Sequence, residues 1–372
     1  MKVLMHCVYF PPEVGGLESH VFYLCRALVH RGHDVHVVTS RSQPGLSAYE
    51  IVEGVHVWRS WLPGRNTAGW AAHAFSSMPR FLTLAQTADV LHAQDIAAVL
   101  PCMVAQKVGR APIVTTYHSS HFLKRSGSPF WRPTFKRFLE AADHNLAASV
   151  EIAAVGAAIA PTAHVEPLTN GVDTNIFQRV APGLVPLVEG RFRLIVPRRL
   201  FVKNGVEIFV RALPDILRHV DVDTVVVGDG PERGRLQSLA SELGIADRIF
   251  FLGARANAEM PALLSSADLA VFPSLMEATS VAALECMSCG LPVAASRVGG
   301  LPEIIDDGVG ALFETNDPAS LARVVVNLLK SRQLGTLGAE ARRRVVERWS
   351  NERLADRHVE IYEKVISQRS TA

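Results

Sequence analysis

A chain of 372 residues has room for two ordinary domains, which excludes a small disulfide-stapled scaffold. Hydrophobic residues make up 48% and charged residues 20%, a globular balance, and the longest weakly polar stretch, 146–163, contains Glu151 and Pro161 and so falls short of a bilayer span. Lys and Arg number 38 against 36 Asp and Glu; the resulting +2 argues against a dedicated nucleic-acid partner.

Residues 1–10 carry a single Lys, an apolar run broken by His6, and then Pro11-Pro12 where a signal peptide needs a small-residue cleavage site. They read as a first buried strand, and the chain is expected in the cytoplasm. Five cysteines, an odd number, fit a reducing compartment; Cys286 and Cys289 form a lone CxxC without a second pair or a suitably spaced His, and read as two small helix residues.

Continuous runs rich in Val, Ile and Leu recur at 3–9, 34–39, 55–60, 90–92, 113–117, 145–148 and 164–168, separated by helix-length segments. Apolar runs that do not alternate belong to parallel strands covered on both faces. A second series follows the Pro- and Gly-containing stretch 181–190, at 193–197, 224–228, 248–252, 269–273, 292–295 and 310–313. The chain therefore predicts two doubly wound, Rossmann-like α/β domains, 1–180 and 181–350, joined near residue 185, with ligands beyond the carboxyl ends of the strands. Residues 351–367 carry Leu354, His358, Ile361, Tyr362 and Val365 at helical spacing behind Ser350. Segment 351–372 is thus expected to be an amphipathic closing helix that returns to the first domain.

The residues that carry chemistry sit at strand ends. Gly15-Gly16 follows the first strand and opens the segment 17–31, where backbone amides can face a phosphate. His118 ends the run 113–117. After 193–197 come Arg198, Arg199 and Lys203, cations that can converge on a diphosphate across a turn. After 269–273 come Glu277 and, eight residues on, Glu285, flanking Ala278-Thr279-Ser280 and an apolar run that must begin a helix near Val281. A Ser280 or Thr279 cap leaves that helix with free amides suited to an anion. Two patterns point elsewhere. Gly228-Asp229-Gly230 through Gly234 is spaced GxGxxxG and lacks the acid that binds a dinucleotide ribose, and Asp221-Val222-Asp223 introduces a strand where a turn explains it.

Glu277 to Glu285 matches an EX7E signature. Together with 15–20, 170–173, 199–205, 228–231 and 299–305 in the same order, it makes the chain resemble the family 4 retaining glycosyltransferases of the GT-B fold, in which two such domains face each other across a cleft. Segments 15–24 and 31–40 are also similar to the phosphatidylinositol mannosyltransferases and their N-acetylglucosaminyl relatives. The resemblance implies that Glu277 meets the hydroxyls of the donor sugar and Glu285 those of the ribose. It implies that Arg199 and Lys203 neutralise the diphosphate, helped by the amides of Gly15-Gly16 and of Thr279, Ser280 and Val281. The backbone near Arg255 would meet the base, and His118 the sugar. The chain departs from the family pattern at Asn204, which stands directly before Gly205 where a Lys is usual, and at 278–280, where Gly-Phe-Gly is usual.

The expected activity is transfer of a hexose or N-acetylhexosamine from a UDP- or GDP-sugar with retention, with no metal and no other cofactor. The expected acceptor is a lipid-linked or cell-surface glycan hydroxyl. Basic residues Lys107, Arg110, Lys124, Arg125, Arg132, Lys136 and Arg137 interleave with Phe122, Phe130, Trp131, Phe135 and Phe138, which suits an anionic membrane or lipid and a peripheral place at the inner membrane face. The ordinary alternative is a helix packing its aromatics inward. A soluble acceptor and a non-catalytic nucleotide-sugar-binding partner remain as alternatives.

Overall fold

The computed structural model describes residues 1–370 apart from Val14, Ser119 and 184–188. The chain separates into two compact units, Met1–Asn170 with Asn351–Ala372, and Gly171–Ser350.

The first unit runs β1 (Lys2–His6), α1 (Gly16–His30), β2 (Asp34–Ser40), β3 (Tyr49–Val52), β4 (Val55–Ser60), α2 (Thr67–Ala85), β5 (Val90–Gln94), α3 (Ile96–Gly109), β6 (Ile113–Tyr117), α4 (Ser120–Ser126), α5 (Arg132–Ala141), β7 (His144–Ala147), α6 (Val150–Ile159) and β8 (Val165–Pro167). Its eight strands lie in the order β3-β4-β2-β1-β5-β6-β7-β8, parallel except for the antiparallel pair β3 and β4. Helix α1 shows why these segments fold as they do. Val21, Leu24, Cys25 and Leu28 recur at helical spacing on its buried face, and Gly32, at φ 78°, ends it in a conformation that a side chain disfavours.

The second unit runs β9 (Phe192–Pro197), α7 (Val206–Leu217), β10 (Val222–Val227), α8 (Arg233–Glu242), β11 (Ile249–Gly253), α9 (Met260–Ser265), β12 (Leu269–Phe272), α10 (Val281–Ser288), β13 (Val293–Ser296), α11 (Leu301–Ile304), β14 (Gly310–Phe313), α12 (Pro318–Lys330) and α13 (Leu334–Arg348). Its sheet is wholly parallel, in the order β11-β10-β9-β12-β13-β14. The two parallel-sheet α/β units expected from the apolar runs are present.

The closing helix α14 (Asn351–Ser370) belongs to the first unit, where Ile361, Tyr362 and Val365 are buried in the core beside Val3, Val35 and Leu24. Each such side chain contributes about 1.5–3 kcal/mol by leaving water. The division between the units falls at Asn170/Gly171 rather than at 180/181, because Val172 and Phe177 are buried in the second unit's core and the Val172 amide donates to the Trp349 carbonyl at 2.9 Å. The junction expected near residue 185 lies outside the described residues. Strand β3 is an addition to the expected series. It pairs with β4 through Glu53 and Gly54, at φ 48° and 83°, the left-handed pair that a tight hairpin requires.

Candidate nucleotide-sugar site

In the second sheet, β9 leads to β10 on one side and β12 leads to β13 on the other, so the carboxyl ends of β9 and β12 form the point where the winding reverses. Open α/β sheets bind ligands at such a point. The loop after β9 carries Arg198, Arg199 and Lys203, and the loop after β12 carries Glu277.

The backbone locks these two loops together. The Lys203 carbonyl accepts from the amides of Leu275 and Met276 at 2.9 and 3.2 Å. Gly205, at φ 63°, comes so near that a Cβ there would stand 1.9 Å from the Pro273 carbonyl oxygen. The Gly228-Asp229-Gly230 turn braces the first loop from the other side, with the Leu200 amide donating to the Asp229 carbonyl at 2.9 Å. That turn is therefore structural support for the loop after β9.

Within this frame Nη2 of Arg198 donates to Oε2 of Glu277 and, at 2.9 Å, to Oδ1 of Asn204. The Asn204 side-chain amide in turn donates to the Arg199 carbonyl at 2.6 Å. The Ser274 hydroxyl lies 3.4 Å from the same Glu277 oxygen, and the Arg198 guanidinium stands over the Phe272 ring at 5.6 Å. Arg199 points elsewhere: it is exposed, with its guanidinium 5.7 Å from the Phe201 ring. Spacing alone did not single out Arg198. Two adjacent arginines leave a strand in different directions, and only side-chain placement tells which one reaches the carboxylate.

Ser280 caps α10, its hydroxyl accepting from the Ala283 amide at 3.3 Å. The amides of Val281 and Ala282 make no backbone hydrogen bond among the described residues, so the helix presents donors at its positive end, next to Thr279. Glu285 lies on the same helix without a hydrogen bond or ion pair among the described residues, and burial pushes its carboxyl up to about 8. Glu277 and Glu285 thus sit in different settings, one held by a guanidinium and one waiting for a donor. Arg255, after β11, pairs with Glu259 at 3.5 Å.

The remaining expected site residues are in the first unit. Gly15 precedes α1, and the Ser19 amide donates to its carbonyl at 3.0 Å, while the Glu18 carboxylate occupies the space a Gly15 side chain would fill. An acid therefore already faces this helix end. His118 is buried just past β6, and Nε2 contacts Oε1 of Gln94 at 2.8 Å. An amide oxygen only accepts, so Nε2 carries the proton and Nδ1 is the lone pair. The His118 ring lies 4.6 Å from that of His20, and burial pushes its imidazole down to about 3, which keeps it neutral at pH 7. It can bind as a neutral hydrogen-bonding group but not as an imidazolium.

Other clusters are satisfied internally. Asp223 is held by the buried Arg193 at 2.9 Å and Asp221 by Arg191 at 3.2 Å and by Arg248 at 2.5 Å. Asp34, His36 and His56 gather on β2 and β4, but the Trp58 indole donates to Nδ1 of His36 at 3.3 Å, so Nε2 bears the proton that faces Asp34 at 3.0 Å. Cys286 and Cys289 are buried. In the basic region, Phe122 and Phe135 turn into the core, whereas Phe130 is 78% exposed. Leu100, Val104 and Val108 add an exposed apolar row on α3. No helix among the described residues is long and apolar enough to cross a membrane.

Comparison with known proteins matches residues 14–176 to the profile described as Glycosyltransferase Family 4 and residues 185–349 to that described as Glycosyl transferases group 1. The chain is 28% identical over 369 residues to the GDP-mannose-dependent alpha-(1-6)-phosphatidylinositol monomannoside mannosyltransferase of Mycolicibacterium smegmatis, covering 91% of this chain and 92% of that protein. It is 28% identical over 372 residues to N-acetyl-alpha-D-glucosaminyl L-malate synthase of Bacillus anthracis, covering 95% of each. Among solved structures, sucrose-phosphate synthase from Thermosynechococcus elongatus superposes with a TM-score of 0.83 at 21% identity over 99% of both chains, a likeness of fold. Two profiles that follow one another along the chain, on two parallel-sheet units, show that it belongs to the family 4, group 1 glycosyltransferases and is a glycosyltransferase.

Proposed function

We propose that the protein transfers a hexose or N-acetylhexosamine from a UDP- or GDP-sugar, with retention of configuration and without a metal ion, to a hydroxyl of a lipid-linked or glycan acceptor. The observation that supports this most is the pairing of Glu277, held by Arg198 in the loop after β12, with the unpartnered Glu285 on the helix that follows. One acid suits sugar hydroxyls and the other suits the ribose diol, which would supply the donors that Glu285 lacks. The departing diphosphate needs its growing charge stabilised as the bond to the sugar breaks. Arg199, Lys203, Arg198 and the free amides of α10 are the groups that can do so. The proposed route is front-face attack, with the departing phosphate taking the acceptor's proton. The backbone near Arg255 is assigned to the base.

For the acceptor, the exposed Phe130, in a segment whose Lys124, Arg132, Lys136 and Arg137 are also exposed, favours an anionic lipid surface. The phosphatidylinositol-linked relative supports the same choice, while the L-malate enzyme supports a soluble acceptor as the second reading. Product NMR on enzyme treated with a chelator tests the chemistry: a retained anomeric configuration and a strong loss of turnover in Glu277→Ala are expected, and inversion would overturn it. Flotation with anionic vesicles separates the two acceptors, since a soluble one predicts no binding and no change in a variant lacking the charges of Lys124, Arg125, Lys136 and Arg137.

A further inference from the structure

We infer that Gln94 is a positioning residue, holding His118 in the tautomer whose bare Nδ1 accepts from a hydroxyl of a polyhydroxylated ring, a sugar or a cyclitol; the choice of ligand rests on the sugar-transfer reading above. In the first sheet β1 leads to β2 on one side and β5 leads to β6 on the other, so the winding reverses at the carboxyl ends of β1 and β5. Gln94 is the last residue of β5, and His118 directly follows β6. Both side chains are buried. Oε1 of Gln94 accepts from Nε2 of His118 at 2.8 Å, which requires that nitrogen to carry the proton of the neutral ring.

What fixes the Gln94 amide is its other end. Its Nε2 lies 3.7 Å from the Met5 sulfur, which only accepts, and 3.4 Å from both ring nitrogens of His92. Those nitrogens are already engaged, Nδ1 with the Tyr362 hydroxyl at 2.6 Å and Nε2 with the Thr116 hydroxyl at 2.7 Å, so His92 has no N–H to spare for an amide oxygen. Turned over, the amide would set its oxygen against the sulfur and its N–H groups against His118, and the His118 proton would move to Nδ1. As placed, Nδ1 of His118 is buried with no hydrogen-bond partner among the described residues. Asn170 adjoins the ring, and its Oδ1 is likewise buried and unpartnered. Both atoms only accept, so neither satisfies the other. His20, whose ring lies 4.6 Å from that of His118, adds a further bare acceptor, since neither of its nitrogens is engaged. Buried acceptors are costly to leave bare. A ring bearing several hydroxyls brings the donors this cluster lacks, whereas an anion brings none.

Nitrogen NMR of the full chain carrying isotope-labelled histidine tests this, the His118 signals being identified by their loss in His118→Phe. Wild type should show a protonated Nε2 and a bare Nδ1 at His118, and Gln94→Leu should show both tautomers. A protonated Nδ1 in wild type overturns the inference without any variant, and a single unchanged tautomer in folded Gln94→Leu overturns it too. Methyl α-mannoside and myo-inositol, and separately UDP- and GDP-sugars, are then added. Movement of the Nδ1 signal by a free ring points to an acceptor ring, and movement by a sugar nucleotide alone points to the sugar of the donor. Either result supports the inference, with binding of that ligand about tenfold weaker in Gln94→Leu. A still Nδ1 signal under ligands that raise the wild-type melting temperature overturns the assignment of a ligand to His118. If no sugar nucleotide binds wild type, the sugar-transfer reading fails and that assignment with it, while the tautomer of the ligand-free chain still decides the role of Gln94.

Discussion

Gly299 runs beneath Glu277 so closely that a Cβ on it would stand 1.5 Å from the Glu277 carbonyl oxygen. The loop that ends β13 therefore serves as the floor on which the carboxylate loop rests. Gly299 is also at φ 56°, in the left-handed region. Alanine at this position meets both obstacles, and local strain of about 1–3 kcal/mol falls on the segment that carries Glu277. Gly299→Ala should lower kcat at least about tenfold with a melting temperature reduced by only a few degrees. Kinetics and a thermal melt on the same preparation check it; full activity would mean that the Glu277 loop does not depend on this contact.

Glu285 makes the second unit sensitive to alkali. Burial raises its carboxyl from an ordinary 4.5 to about 8 in the folded chain, so the folded state holds a proton that the unfolded state has already lost. Its contribution to stability is fully present below pH 4.5 and drains away as pH rises toward 8. Glu285→Gln should therefore melt higher than wild type, by a margin that grows between about pH 5 and pH 8 and then levels off. The same variant should bind nucleotide poorly. A margin that does not vary with pH would contradict the buried, protonated carboxyl.

The first unit should be sensitive to acid. His20, His92, His118 and His358 are all buried in one region, and burial holds each of them below the ordinary imidazole value, His118 at about 3 and His358 at about 4. Depressed bases contribute stability that is present above pH 6.5 and lost as pH falls through the folded values. His20 is the cleanest probe, because neither of its ring nitrogens has a hydrogen-bond partner among the described residues. His20→Phe should leave the melting temperature at pH 7.5 unchanged or higher and should lose less of it at pH 5 than wild type does. Parallel losses in the two proteins would show that the cluster does not set the acid limit.

Tyr362 ties α14 to the first sheet through a hydrogen bond between its hydroxyl and Nδ1 of His92, at 2.6 Å in the core. Nε2 of His92 is engaged by the Thr116 hydroxyl at 2.7 Å, so the ring is held at both ends. Tyr362→Phe leaves the packing and removes the hydroxyl, so that Nδ1 keeps only the Gln94 side-chain amide at 3.4 Å, which should cost about 1 kcal/mol. Denaturant unfolding followed by hydrogen exchange in α14 measures it. A change below about 0.5 kcal/mol would mean that water replaces the hydroxyl.

Thirteen of the fourteen strands among the described residues could be read from continuous apolar runs, because a strand covered on both faces has no polar side to show. Strand β3 escaped that test because it is an edge with alternating exposure, Tyr49 and Ile51 pointing outward; its only sequence mark is Glu53-Gly54. The division was expected after 180 because the Pro- and Gly-containing stretch 181–190 looks like a linker, whereas Val172 and Phe177, just before it, are buried in the second unit's core. At the site, the two glutamates and the helix cap were legible from spacing. The choice between Arg198 and Arg199 was not, since it depends on Asn204 and Phe272 receiving one guanidinium and not the other. The basic region divided similarly: Phe135 obeys the amphipathic period of α5, and Phe130 lies before that helix begins.

The central claim, a nucleotide-sugar site built on Glu277, Glu285 and the end of α10, is tested most directly by thermal melting of wild type and Glu285→Gln with UDP-, GDP- and ADP-sugars. Ligand at about 100 times its Kd adds about 2.7 kcal/mol of stability. One of these sugar nucleotides should raise the wild-type melting temperature by several degrees and leave Glu285→Gln nearly unmoved. Stabilisation by none of them, or by a nicotinamide dinucleotide alone, would contradict the account.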